Sequence, residues 1–134
     1  MVKSNMQEKI SKWLKLTFLI HFFIGIIFGI IYMIFPDFFF SLIVWTYNDP
    51  VATRLLGAAL TGFAVSSLLA WRETDWIKVK LIVQVEMAWL VLGNVMLFIS
   101  AFVFFPPIFI WFVIALFLAF LIAFAYLYYI QERK

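Results

Sequence analysis

The stretch "IKVKLIVQVEMAWLVLGNVMLFISAF", residues 77–102, decides the fold of this chain. It exceeds the roughly 20 apolar residues that a helix needs to cross a bilayer. Three more apolar runs follow the same pattern, so the sequence of 134 residues predicts four spans, at 14–35, 51–71, 77–102 and 107–130. Because the runs are continuous rather than alternating, a transmembrane β-barrel is excluded. The predicted fold is all-α: an integral membrane, antiparallel four-helix bundle forming a single domain over residues 1–134.

Composition supports lipid as the solvent and argues against catalysis. The chain is 67% hydrophobic and 13% charged, whereas soluble domains are about half apolar and a quarter charged. It has no cysteine and one histidine, which excludes thiolate and multi-histidine metal sites. The sequence contains no GxSxG, HExxH, CxxC or glycine-rich phosphate loop. We therefore predict no catalytic residues, no metal and no other cofactor.

The basic residues predict the orientation. Nine of the ten lysines and arginines lie before or at the start of the first span, around the turn between the second and third, or after the fourth, and Arg54 is the tenth. By the positive-inside rule, this places both termini in the cytoplasm and the chain in the cell membrane as a multi-pass protein. Since these charges follow topology rather than forming a separate patch, a nucleic-acid partner is not expected.

Two short segments outside the spans have their own patterns. The run "FFFSLIVWTY", residues 38–47, is too short to span, and it predicts a short interfacial helix between spans 1 and 2. Asp49 and Pro50 predict the start of the next helix, as N-cap and first residue. Apolar residues at helical spacing within 1–13 favour a short helix on the inner leaflet; a frayed basic tail is the alternative.

Glu86 is the most informative residue inside a span. An ionisable residue there costs roughly 2.5–3.5 kcal/mol on insertion scales, so it usually faces the bundle interior beside a partner. At about 1.5 Å per residue, His21 reaches a similar depth and is the better direct partner. We predict an interior polar cluster of Glu86 with His21, Ser66, Ser67 and Tyr126. Three roles stay open: a structural clasp, the lining of a pocket for a lipid-like or amine ligand, and a proton- or cation-coupling carboxylate.

Arg54 and two glycines complete the set of candidate positions. Arg54 and Asn94 reach similar depths on the second and third helices, so we expect these helices to pack with the two side chains close together. Arg54 serves either as a snorkelling or Asp49-paired structural group or in capturing an anionic ligand. Gly25 and Gly29 form a GxxxG motif, which indicates either dimerisation or packing within the chain.

Two stretches carry a family resemblance. "DPVATRLLGAALTGFAVSSLLAW" and "VKLIVQVEMAWLVLGNV" resemble the middle of small four-span membrane proteins of bacteria and archaea, similar in layout to DoxX-like proteins and to the Erg28-like scaffolds of eukaryotes. The shared features are Arg54 with Gly57-Ala58, then Gly62, a short basic turn, and Glu86. This resemblance implies a four-helix bundle with an accessory or scaffold role, and it brings no established catalytic residues.

The sequence thus predicts a non-enzymatic membrane protein, either an accessory or scaffold protein or a binder of a lipid-like ligand within the bundle. The first alternative is a small proton- or cation-coupled transporter working as a dimer. The second is an enzyme acting on a membrane-dissolved substrate. The expected partners are membrane lipids and either a second copy of the chain or a larger membrane complex. The ligand-binding or coupling candidates are Glu86, His21, Arg54, Asn94, Ser66 and Tyr126.

Overall fold

The computed structural model describes residues 9–46 and 48–134, and their regular structure is helical apart from one isolated bridge. The helices are α1 (Lys12–Ile34), α2 (Pro36–Leu42), α3 (Pro50–Arg72), α4 (Trp76–Val103) and α5 (Phe109–Glu132). All except α2 are long and apolar enough to cross a membrane. The predicted all-α membrane bundle is confirmed, and the four predicted spans match the long helices to within two residues at each end.

Local capping explains where the helices begin. The Ser11 side chain caps α1, and the Asp75 side chain caps α4. Asp49 Oδ1 accepts hydrogen bonds from the first two free amides of α3, at 2.8 and 2.9 Å, with Pro50 at the first helical position. The predicted Asp49-Pro50 start is therefore confirmed. Caps of this kind satisfy amides that a helix cannot pair internally.

The short helix between the first two spans is also present. It begins at Pro36 and ends at Leu42, earlier than the predicted 38–47, because the proline supplies a helical first position. Beyond it the chain turns at Val44, whose φ of 58° lies in the left-handed region. Asn48 Nδ2 then donates to Asp37 Oδ1 at 3.0 Å, which ties the returning chain to the start of α2.

The four long helices form two hairpins, and their pairing differs from the sequence prediction. We expected the second and third spans to pack together, but α3 packs mainly on α1, and α4 packs mainly on α5. Glycines allow the first pairing: a Cβ on Gly25 would lie 3.0 Å from Ala64 Cβ, and one on Gly57 would lie 2.8 Å from Gly29 O. Small residues let helices approach closely in lipid. The Gly25–Gly29 face is thus covered by α3 of the same chain.

The two hairpins share a core at one end of the bundle. We call this the terminal end, because it carries residue 9, the turn 73–75 and residue 134; the opposite end, with residues 35–46, 48–49 and 104–108, is the loop end. The core joins all four long helices through buried side chains. Its largest fully buried members are Leu14, Phe18, Trp76, Leu90 and Phe124.

A glutamine closes the terminal end. The Gln131 side chain is fully buried, and its Oε1 accepts from Ser11 N at 3.2 Å while its Nε2 donates to Lys9 O at 2.9 Å. Ile10 N also donates to Thr74 O. Residues 9–11 are therefore extended and anchored, which corrects the predicted leaflet helix over this part. The rest of that prediction, residues 1–8, lies outside the described residues.

Replacing Gln131 by leucine should release this anchored segment. The substitution removes both hydrogen bonds and leaves two backbone groups without partners, at a cost of about 1–3 kcal/mol for each group that stays buried. We expect faster amide hydrogen exchange at Ser11, measured by mass spectrometry in detergent. Gln84→Leu is the matched control, because Gln84 is exposed and its side chain bonds, among the described residues, only the Tyr128 hydroxyl. Equal exchange at Ser11 in both variants would contradict the role assigned to Gln131.

Candidate functional site

Four side chains from three helices form the polar cluster, defined as His21, Ser66, Ser67 and Glu86. Ser66 Oγ and Ser67 Oγ each lie 3.3 Å from Glu86 Oε1. His21 Nδ1 lies 2.8 Å from Ser67 Oγ, and His21 Nε2 lies 3.7 Å from Glu86 Oε2. Glu86 and Ser67 are fully buried, and His21 is 8% exposed. The predicted association of Glu86 with His21 and the two serines is present in the structure.

A proton on His21 Nδ1 gives the polar cluster a consistent set of hydrogen bonds. When Nδ1 donates to Ser67 Oγ, the Ser67 hydroxyl is free to donate to Glu86 Oε1, and His21 Nε2 then faces Glu86 Oε2 at 3.7 Å, beyond hydrogen-bond distance. One proton on either of these two atoms leaves the pair with no net charge. This matters because burying an uncompensated ion among apolar side chains is costly. Glu86 Oε2 has no hydrogen-bond partner among the described residues, because the nearest imidazole nitrogen, His21 Nε2, lies 3.7 Å away.

Helical periodicity brings these residues together. His21 follows Leu14 and Phe18 on the buried stripe of α1, and Glu86 follows Val79 and Val83 on that of α4. Residues spaced by three or four share one face of a helix. The two stripes face each other where the hairpins share their core, so the polar cluster links the α1–α3 hairpin to α4.

The other predicted site residues lie elsewhere. Tyr126 is 62% exposed and outside the polar cluster. Arg54 is also exposed, and its Nη1 lies 3.4 Å from Pro50 O, one turn earlier in α3. Asn94 is buried and donates to Leu90 O at 2.8 Å, while its Oδ1 has no partner among the described residues. The expected pairing of Arg54 with Asn94 is therefore not formed, because α3 packs mainly on α1 and Arg54 is left exposed.

A cavity of about 350 Å³ lies between the two hairpins, directly beside the polar cluster. His21, Leu90 and Phe120 line the part nearest the cluster, and the His21 ring meets Phe120 edge-on at 4.8 Å between centroids. The middle is lined by aromatic and aliphatic side chains and by glycines. Among these residues are Gly25, Leu60, Phe63, Trp89, Gly93 and Phe117.

The cavity is long, apolar and without full charges. On α1 it extends from His21 to Tyr32, eleven residues and hence roughly 16 Å along the helix. No lysine, arginine, aspartate or glutamate is among the described residues that line it. Its volume falls in the range of about 300–1,000 Å³ typical of small-molecule sites. Its shape and lining suit an extended hydrocarbon chain.

Polar groups return at the loop end of the cavity. Tyr32, Trp45 and Thr53 line this region together with phenylalanines from α2 and α5. Thr53 is the only one of the three whose side chain hydrogen-bonds a described residue, donating to Asn48 Oδ1 at 2.8 Å. The phenol O–H and the indole N–H are hydrogen-bond donors at the rim of an otherwise apolar space.

Sequence reasoning found the polar cluster and left a pocket for a lipid-like ligand open as one role, but it did not predict where the cavity lies or which aromatic residues line it. Trp89 was the available indication, because an indole near the middle of a span is unusual when aromatic residues favour the interfaces. In the structure Trp89 stacks on Phe63 with centroids 5.1 Å apart, and both line the cavity. No local sequence pattern shows that these two side chains line an open cavity instead of packing against other side chains.

No protein-family model, curated protein or solved structure matches this chain. The resemblance noted from the sequence therefore stays a prediction, and the function is argued from the geometry of the cavity and the polar cluster.

Proposed function

We propose that this membrane protein binds the hydrocarbon chain of a lipid-like molecule in the cavity between its two hairpins. The observation that carries the proposal is an apolar space of about 350 Å³, free of full charges among its described lining residues, inside a bundle of membrane-spanning length. A hydrocarbon chain that enters such a space exchanges one apolar environment for another and gains close packing. The aromatic walls offer large, rigid surfaces for that packing.

In this proposal the polar cluster acts as the floor of the cavity. Its four residues bond to one another, so they fasten the hairpins together while the space above them stays open. Hydrogen bonds between helices are worth about 1–2 kcal/mol in model membrane peptides. The clasp thus maintains the separation that creates the binding site. This fastening role explains why Glu86 is located in the middle of an apolar span.

The proposal includes the topology indicated by the basic residues. The terminal end lies in the cytoplasm, and the loop end with Tyr32 and Trp45 lies at the outer surface of the cell membrane. The protein acts as an accessory or scaffold that holds a lipid-like molecule. A second copy of the chain or a larger membrane complex is its proposed protein partner. Substituted-cysteine labelling from outside intact cells at Asn48 and at Arg133 tests this topology, since labelling is expected only at Asn48.

Filling the cavity should abolish binding. We expect Leu60→Trp to reduce saturable binding at least tenfold, because Leu60 lines the middle of the cavity and the larger indole would occupy it. The measurement is equilibrium binding of tritiated methyl tetradecanoate to the protein in phosphatidylcholine nanodiscs, with empty nanodiscs subtracted. Leu55→Trp is the matched control, because Leu55 lies on the same helix but is 70% exposed and outside the cavity lining.

The two variants separate a site from general partitioning into lipid. Binding that saturates near one molecule per protein, survives in Leu55→Trp and disappears in Leu60→Trp supports the proposal. Uptake that rises linearly with the ester and is equal in both variants would overturn it. Thermal unfolding of both variants is followed in parallel, so that loss of fold is not mistaken for loss of binding.

The second candidate function is a proton- or cation-coupled transporter. It is favoured by the buried Glu86 Oε2, which has no hydrogen-bond partner among the described residues and lies 3.7 Å from His21 Nε2, where a proton could move between two groups. Such a transporter predicts that Glu86→Gln abolishes coupled proton flux in proteoliposomes while the protein still folds. Flux absent from the wild type, or unchanged in Glu86→Gln, would exclude this role for Glu86.

A further inference from the structure

The loop end of the cavity differs chemically from its floor, and this difference bears on what the ligand is. At the floor, both ring nitrogens of His21 face partners within the polar cluster, Ser67 Oγ at 2.8 Å and Glu86 Oε2 at 3.7 Å. His21 Nδ1 is therefore engaged by Ser67, while Nε2 faces the Glu86 carboxyl group at a distance beyond that of a hydrogen bond. At the loop end, Tyr32 and Trp45 present an O–H and an N–H that no described residue accepts.

We infer that the cavity binds an amphiphile with an uncharged, hydrogen-bond-accepting head, such as an ester or ketone carbonyl, at the Tyr32–Trp45 end and its hydrocarbon chain toward His21. This inference rests on the proposed function and adds the head-group class and the orientation. The two donors match a carbonyl oxygen, which accepts two hydrogen bonds. Both rings pack against Phe40, at centroid distances of 5.6 Å for Tyr32 and 6.0 Å for Trp45, so they approach the same region.

The lack of charged side chains among the described lining residues disfavours ligands with ionised head groups. The described lining residues include no lysine or arginine to neutralise a carboxylate and no aspartate or glutamate to neutralise an amine. Arg54, the nearest arginine along α3, is exposed and lies outside the lining. Removing an unpaired charge from water is far more costly than removing a carbonyl that gains hydrogen bonds. A neutral head group is thus preferred over an acid or amine of equal chain length.

The backbone supports the placement of Trp45. Val44 directly precedes it and adopts a φ of 58°, a costly region for a β-branched residue. The turn is fixed by the bond from Trp45 N to Phe40 O at 2.8 Å, and it brings the indole to the cavity lining. The strained turn therefore holds the proposed donor at the loop end.

Two matched substitutions test the head-group assignment. Tyr32→Phe and Trp45→Phe each remove one donor and keep an aromatic ring, and each should weaken binding of methyl tetradecanoate by roughly threefold to tenfold, as expected for one neutral hydrogen bond. Neither should change the binding of tetradecane, which has no acceptor. In wild-type nanodiscs, tetradecanoate at neutral pH and tetradecylamine should bind at least tenfold more weakly than the ester.

Photolabelling tests the orientation with the same protein in phosphatidylcholine nanodiscs. Methyl tetradecanoate with a diazirine beside the ester should label Tyr32, Phe40 or Trp45, whereas a diazirine at the chain end should label residues near His21 and Phe120. The reverse pattern, or tetradecanoate binding as tightly as the ester, would overturn the inference while leaving the proposed function intact. Absence of saturable binding by the ester and by tetradecane would instead overturn the proposed function itself.

Discussion

Gly57→Leu should prevent stable packing of α1 on α3. Even a single Cβ at this position would lie 2.8 Å from Gly29 O and from Met33 N, and both are backbone atoms that no rotamer change can move. Overpacking of a close contact typically costs about 1–3 kcal/mol, and a leucine placed against backbone should reach the upper limit or exceed it. The expected result is a large fall in the stability of the protein toward sodium dodecyl sulfate in mixed micelles.

Gly62→Leu is the control for this substitution. Gly62 lies on the same helix, and apart from its chain neighbours and the adjoining backbone of α3, no described residue has an atom within 4 Å of the position that its Cβ would take. Both variants add the same side chain and replace a glycine in a helix interior, so helix propensity affects them equally. Equal stability of the two proteins would show that α1 and α3 do not approach as closely as the structure indicates.

Glu86→Leu should destabilise the protein by about 1–3 kcal/mol, because it leaves buried polar atoms of His21 and Ser67 without a partner. Replacing both His21 and Glu86 should lower the stability by less than the sum of the losses caused by the two single substitutions. A buried pair replaced by apolar side chains of similar volume is often tolerated. In the double variant His21→Phe with Glu86→Leu, we therefore expect a coupling energy of about 1–2 kcal/mol.

The control cycle uses Gln84→Leu and Tyr128→Phe. These residues also bond each other between α4 and α5, at 3.0 Å, but Gln84 is exposed. For this pair we expect a coupling energy of a few tenths of a kcal/mol, which is the size found when the effects of two substitutions on stability are nearly additive. If the His21 and Glu86 changes were equally additive, the polar cluster would not fasten the hairpins, and Glu86 would need another explanation.

The neighbours of Glu86 show how far prediction reaches from helix depth alone. Counting residues at about 1.5 Å each placed His21, Gln84, Ser66, Ser67 and Tyr126 near the level of Glu86, and of these His21, Ser66 and Ser67 contact it or its partner. Tyr126 fails because depth says nothing about direction around the helix axis. It follows the buried Phe124 by two residues, a rotation of about 200°, and therefore faces outward.

The sequence by itself determined the solvent, the helices and their ends. Long apolar runs are sufficient for this, since a bilayer forces every backbone group to be satisfied within a helix, and the Asp49-Pro50 start depends only on neighbours along the chain.

The tertiary structure alone decided that α3 pairs with α1 and that a cavity remains between the hairpins. Both depend on surfaces far apart in sequence. Gly25 and Gly29 of α1 and Gly57 of α3 allow close packing between these two helices. Phe63, Trp89 and Phe117, on α3, α4 and α5, instead line the open cavity between the hairpins. Composition does not distinguish a wall of a cavity from a filled core, because the same apolar residues form both.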